Sequence, residues 1–207
     1  MAADLYKSVR PSLWIIAGAN GSGKTSSFEQ TRLDAPRGTI WIINPDALAR
    51  RIFETEIGQA DEANLEAVKR IENWLYASVD AHQSIGVETV LSTTKYQALV
   101  EAAQAKGYEV ALFYVYLETE DLNVSRVAKR VKAGGHDVPE QKIRDRRKRS
   151  LENFSWFFDR ADRAYIFDNS RSAPALVCKK ENLEIDIYGE LLPILSNAIQ
   201  SLLNDEH

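Results

Sequence analysis

Short apolar runs and longer amphipathic stretches alternate along this chain. Residues 13–17 read Leu-Trp-Ile-Ile-Ala with no polar interruption, the pattern of a strand covered on both faces. Similar runs at 39–43, 87–91, 109–117 and 164–168 bring the expected strands to five. Between them apolar positions fall near helical spacing. Ala63, Ala67, Ile71, Trp74, Leu75 and Val79 line one face of a helix expected over 60–83. Further helices are expected over 24–32, from Pro45 onward, and over 95–106, 120–132 and 139–158. Pro45 suits a first helical turn because its φ is already fixed, and Gly107 suits a helix C-cap. The tail predicts a short hairpin, 175–179 with 183–187, and a last helix from residue 190. Strands that alternate with helices predict an α/β fold, a mainly parallel five-stranded sheet flanked by helices, in one domain over 1–207.

The first strand runs into Gly18-Ala19-Asn20-Gly21-Ser22-Gly23-Lys24-Thr25, which fits G-x-x-x-x-G-K-[ST]. Glycines let a loop approach phosphates closely, and its backbone N–H groups then point at the anion. Lys24 reaches the β/γ-phosphates and the Thr25 hydroxyl is placed to ligate Mg²⁺. With Ser26 these residues form the expected nucleotide site, and they specify the fold as that of a P-loop NTPase with ATP and Mg²⁺ as cofactors.

Composition narrows the partners. Cys178 is the single cysteine, so neither an internal disulfide nor a cysteine metal cluster is available, and a buried apolar role is expected for it. No run reaches the apolar length of a membrane span, and Met1 to Arg10 lacks an apolar signal region, so a cytoplasmic protein with no membrane partner is expected. The net charge of −4 is unevenly spread. Residues 126–149 hold ten Lys/Arg and three Asp/Glu, a local +7 against −11 elsewhere. A compact basic patch on an acidic chain points to an anionic ligand held locally rather than to nucleic acid. A solvated helix face is the plainer alternative. The patch lies on a helix–Gly134-Gly135–helix hairpin, the outline of a hinged lid over about 126–158, and phosphoryl transfer gains from closing arginines.

In open parallel sheets ligands bind beyond the carboxyl ends of the strands. There the second strand delivers Asn44 and Asp46, the third Glu88, Thr89 and Ser92, and the fifth Asp168, Asn169 and Ser170. Asp46 is either the carboxylate that positions or deprotonates an acceptor hydroxyl or a helix N-terminal residue that meets free amides. Glu88 interrupts an apolar strand, and a buried carboxylate needs a partner: a substrate hydroxyl, a Mg²⁺-bound water or an arginine. His82 and His136 have no second ligand at metal spacing. Trp156, Phe157 and Phe158 read as core or lid-hinge packing.

Taken in order, Gly18–Thr25, Asn44-Pro45-Asp46, Glu88-Thr89-Val90-Leu91-Ser92, Gly107-Tyr108-Glu109-Val110, residues 126–139 and Tyr165-Ile166-Phe167-Asp168-Asn169-Ser170 resemble the zeta toxin family of P-loop kinases. The resemblance spans about residues 12 to 170. It implies that Lys24 binds phosphate, that Asp46 is the base on a sugar hydroxyl, that Glu88 binds substrate and that Arg130 stabilises the transition state. It further implies phosphorylation of the 3′-hydroxyl of UDP-N-acetylglucosamine, and an antitoxin partner that blocks the nucleotide site. Three places depart from the family pattern. The second lid arginine falls near His136, so Arg146 or Arg147 has to supply that charge. Ser92 stands where the toxins carry arginine. The stretch between the lid helices is shorter. These departures fall largely on the acceptor side. The function expected is an ATP-dependent kinase acting on a hydroxyl of a small molecule, with a sugar nucleotide as the first candidate. The alternatives are a polynucleotide or tRNA-associated kinase, whose basic lid would track phosphates, and a nucleotide-gated protein-interaction module.

Overall fold

Inside the sheet lies β1 (Ser12–Ala17), every residue of it buried. The computed structural model describes residues 10–31, 40–135 and 137–205. Expectations that touch the segment 1–9, the helix end at Arg32, the strand start at Thr39 and His136 lie outside the described residues. β1 pairs in parallel with β3 (Ile85–Thr89) on one side and β4 (Glu109–Tyr116) on the other. β2 (Trp41–Ile43) lies outside β3, and β5 (Arg163–Asp168) outside β4, all parallel. The helices that link them are α1 (Lys24–Gln30), α2 (Pro45–Thr55), α3 (Ala60–Asp80), α4 (Gln97–Ala105), α5 (Glu120–Lys132) and α6 (Glu140–Arg160).

The sheet is larger than the five strands expected. β6 (Ala175–Glu181) and β7 (Glu184–Ile187) add to it antiparallel, giving the order β2-β3-β1-β4-β5-β6-β7. The cause is the open edge of β5, whose backbone groups need partners. The expected hairpin supplies them, with Ile166 paired to Cys178. Two other bounds move. β3 begins and ends two residues earlier than 87–91, because Leu91 turns to φ 59 and cannot continue a strand. The last helix, α7 (Pro193–Asp205), starts three residues after Glu190.

Both faces of the sheet are covered. Leu13, Ile15 and Ala17 join the larger core under α3, α4, α6 and α7, with Leu75, Val79, Leu99, Phe154, Phe157, Phe158, Leu195 and Ile199. Trp14 and Ile16 face the other way, with Phe113, Tyr165 and Phe167 against Phe28 of α1. Phe157 and Phe158 are therefore core residues. Cys178 is fully buried, and burial pushes its thiol up to about 11. A third, small cluster of Ala49, Ile52, Ala63 and Ala67 holds α2 against α3. Among the described residues no helix is long and apolar enough to cross a membrane.

Candidate active site

The strand-to-helix turn after β1 has the backbone that phosphate binding requires. Gly21 and Gly23 adopt φ 78 and 85, the left-handed region that glycine enters without strain. Gly23 is the N-cap of α1 and no side chain caps that end, so the first amides of the helix are left for an anion. Asn20, Ser22 and Lys24 are buried. Thr25 and Ser26 are exposed at the helix start.

Lys24 is where the expected site residues meet. Its ammonium lies 3.9 Å from the Glu88 carboxylate and donates to the Ala19 carbonyl at 3.4 Å. Burial pulls its pKa below the ordinary lysine value. Glu88 and then Asp46 oppose that shift, while the positive charges of Arg130 and Arg146 add to it. The charges of four residues from distant parts of the sequence thus bear on this one lysine. The Thr25 hydroxyl donates to the second Glu88 oxygen at 2.7 Å. Among the described residues Glu88 is paired with a lysine and a threonine of the phosphate loop, and with no arginine. A hydroxyl beside a carboxylate is a hard oxygen donor set, and it suits Mg²⁺, which takes few protein ligands and fills the rest with water and phosphate oxygens.

Asp46 is exposed in the first turn of α2, where Asn44 is the N-cap and its side chain accepts from the Ala47 amide. The cap hydrogen bond is therefore made by Asn44, while Asp46 stands in the first turn, where a negative charge suits the helix N-terminus. It lines an open cleft of about 320 Å³ with Ala49, Arg50, Phe53, Asn64 and Gly135. Gly134 and Gly135 close α5 by donating to the Val131 and Arg130 carbonyls, a Schellman turn. A Cβ at Gly135 would stand 2.5 Å from the Arg130 Cγ, so Gly135 makes room for the arginine stem, while Gly134 supplies the positive φ of the turn.

The basic hairpin sorts its arginines. Arg144 is held by Glu120, Asp121 and Glu140. Arg147 donates to the Leu117 and Glu118 carbonyls, and burial lowers its pKa. Arg149 donates to the Ser92 carbonyl and Arg126 to that of Asn169. Arg146 instead reaches the phosphate loop, 3.4 Å from the Asn20 side-chain oxygen. Of the two candidates for the second lid arginine, it is Arg146 that approaches the loop.

Several contacts were not foreseen. Asn123 and Asn169 donate to the carbonyls of Asn20 and Ser22 in the loop, at 2.7 and 2.8 Å. Asn153 of α6 donates to the Leu91 carbonyl, and the Thr89 hydroxyl accepts from the Leu91 amide, which together hold this non-glycine residue at positive φ beside Glu88. Single asparagines have no spacing motif, so nothing in the sequence marked Asn123 or Asn153. Asn169 was marked by its place at a strand end. Asp168 and Ser170, marked with it, turn to each other and to the Glu118 amide and form the local turn.

Comparison with known proteins agrees with this geometry. The zeta toxin family model matches residues 2–177. An uncharacterized protein of Haemophilus influenzae is 26% identical over 147 residues, 67% of this chain and 99% of that protein. The AvrRxo1-ORF1:AvrRxo1-ORF2 complex with ATP superposes with a TM-score of 0.69 at 16% identity, over 93% of this chain and 63% of that one. The chain thus spans a little under two thirds of that neighbour. A structure from the PezAT chromosomal toxin-antitoxin system of Streptococcus pneumoniae superposes with a TM-score of 0.65 at 18% identity, over 96% of this chain and 86% of that one. With the motif, the sheet order and the family match in agreement, this chain has a P-loop kinase fold and belongs to the zeta toxin family.

Proposed function

We propose that the chain is an ATP-dependent phosphotransferase that acts on a hydroxyl of a small molecule. The observation that carries this is the cluster at the phosphate loop, where Lys24 pairs with Glu88, Thr25 donates to the same carboxylate, Arg146 reaches Asn20 and Asp46 lines a neighbouring cleft. A nucleotide-binding module needs the loop and its lysine. It does not need an exposed carboxylate at the mouth of an adjoining cleft, and transfer to a hydroxyl does.

In this reading the loop amides and Lys24 bind the β- and γ-phosphates. Asp46 accepts the proton of the attacking hydroxyl. Arg130 and Arg146 offset the charge on the transferring group. Thr25 would hold Mg²⁺, and Glu88 one of its waters or the acceptor. The ion would supply positive charge against the charge that develops on the transferring group. The cleft of about 320 Å³ beside Asp46 receives the acceptor. Family membership makes UDP-N-acetylglucosamine the first acceptor to try, and an antitoxin over the nucleotide site the first partner. A polynucleotide acceptor is less well supported, because Arg126, Arg144 and Arg147 are partly buried and engaged within the fold.

The test is mass spectrometry of a reaction with ATP–Mg²⁺ and UDP-N-acetylglucosamine, run beside Asp46→Asn. A phosphorylated sugar nucleotide from the parent alone establishes the reaction and the base. ATP binding with no product, against this and a panel of other hydroxyl acceptors, supports the interaction-module alternative.

A further inference from the structure

The phosphate loop is gripped from outside at two points. Asn123, in the first half of α5 and fully buried, donates its side-chain amide to the Asn20 carbonyl at 2.7 Å. Asn169, just beyond β5, donates to the Ser22 carbonyl at 2.8 Å. Its own carbonyl accepts from Arg126 of α5 at 2.6 Å. Both amide groups are oriented by these contacts, since the reverse orientation would set oxygen against oxygen.

In a planar trans peptide the C=O of one residue and the N–H of the next point in opposite directions. Holding the Asn20 carbonyl therefore aims the Gly21 amide the other way, and holding the Ser22 carbonyl does the same for Gly23. The glycines fit this arrangement for a reason beyond phosphate approach. A Cβ at Gly21 would lie 2.6 Å from the Asn123 carbonyl oxygen, and one at Gly23 would lie 2.5 Å from the Asn169 side-chain nitrogen. The loop has glycine where the two asparagines press against it.

We infer that Asn123 and Asn169 are positioning residues for phosphoryl transfer: by pinning two carbonyls of the phosphate loop they keep its amides turned toward the phosphates, and Arg126 secures the second of them. The inference rests on the phosphate-binding role of the loop. It adds a reason for the long separation between the loop and residues 123–169, since α5 carries one pin, the brace of the other, and Arg130.

The test compares the affinities of ATP–Mg²⁺ and inorganic tripolyphosphate for the parent, Asn169→Ala, Asn123→Ala and Arg126→Ala. Each lost pin should weaken both ligands equally, by about tenfold, the scale of one hydrogen bond that organises a site. The melting temperature of Asn169→Ala should change little, as Asn169 is only half-buried. Arg126→Ala should cost less, and nothing further on top of Asn169→Ala. Unchanged affinity for both ligands overturns the inference. A loss for ATP alone overturns it too, because the residue would then act on the nucleoside. A parent that binds neither ligand refutes the phosphate site itself, a separate outcome. If Asn123→Ala does not fold, Asn169→Ala still decides.

Discussion

The two flanks of β1 are built differently. On the β4–β5 side the strands are almost wholly buried, and two asparagines, one on α5 and one just beyond β5, hold the phosphate loop. On the β3–β2 side the outer strand is three residues long, Trp41 is 75% exposed, and α2 meets the first turns of α3 through a small cluster separate from the main core. Phosphate recognition, on the proposed reading, falls to loop backbone groups and buried side chains. Acceptor recognition, on the proposed reading, falls to exposed side chains such as Asp46, Arg50 and Phe53. Exposed side chains can change with little effect on stability.

The largest effects should separate the two flanks by function. Lys24→Ala should reduce transfer by at least about a thousandfold and weaken ATP as well, since the residue belongs to the phosphate side. Asp46→Asn should lower kcat by about a hundred- to ten-thousandfold with the affinity for ATP unchanged. Isothermal titration with ATP alongside the transfer assay reads both. A parallel loss of ATP affinity in Asp46→Asn would merge the flanks and break the comparison.

Next in size is a pair of core truncations. Ile16 and Ile52 are each 1% exposed. Ile16→Ala opens a cavity among Trp14, Phe113 and Phe167, where the rigid sheet cannot collapse, and should cost about 3–5 kcal/mol of global stability. Ile52→Ala sits in a four-residue cluster that two helices can close, and should cost about 2–3 kcal/mol. It should also speed hydrogen exchange in α2 and α3 while β1 and β4 stay protected. Uniform acceleration across the sheet in Ile52→Ala would show that the acceptor flank has no independence.

The same division governs what the sequence made legible. The buried flank announced itself: uninterrupted apolar runs gave β1 and β4, and a fixed spacing of glycines and lysine gave the loop, because each requirement is local. The helix over Glu120–Lys132 was legible to the residue, and the structure adds Thr119 as its N-cap. What depends on contacts between distant segments was not. Nothing in the run 144–149 tells which arginine meets a carboxylate, which a carbonyl and which the phosphate loop. Leu91 looked like a strand residue by its side chain, and only Thr89 and Asn153 together hold it at positive φ. The hairpin was expected, but its pairing with β5 was not, since an open sheet edge has no sequence signature of its own.

The smallest effect tests the boundary between the flanks. Lys24 stands on it. The buried side lowers the pKa of its ammonium, and the carboxylates of the acceptor side, Glu88 before Asp46, pull it back up. The net shift is downward, so between its folded value and the unfolded value of about 10.4 the unfolded chain binds more protons at this position. Stability from this group therefore rises with pH across that window and levels off above it. The quantity to measure is the difference in unfolding free energy between the parent and Lys24→Met from pH 7 to 11. The Tyr114 phenol, which burial pushes up to about 12, is common to both and cancels. The difference should move in favour of the parent as pH rises, by no more than about 1.4 kcal/mol per pH unit. In the Glu88→Gln background the rise should begin at lower pH, because the strongest charge that holds the proton is gone. A flat difference would mean that the ammonium reaches water freely, and the buried flank would then end short of Lys24.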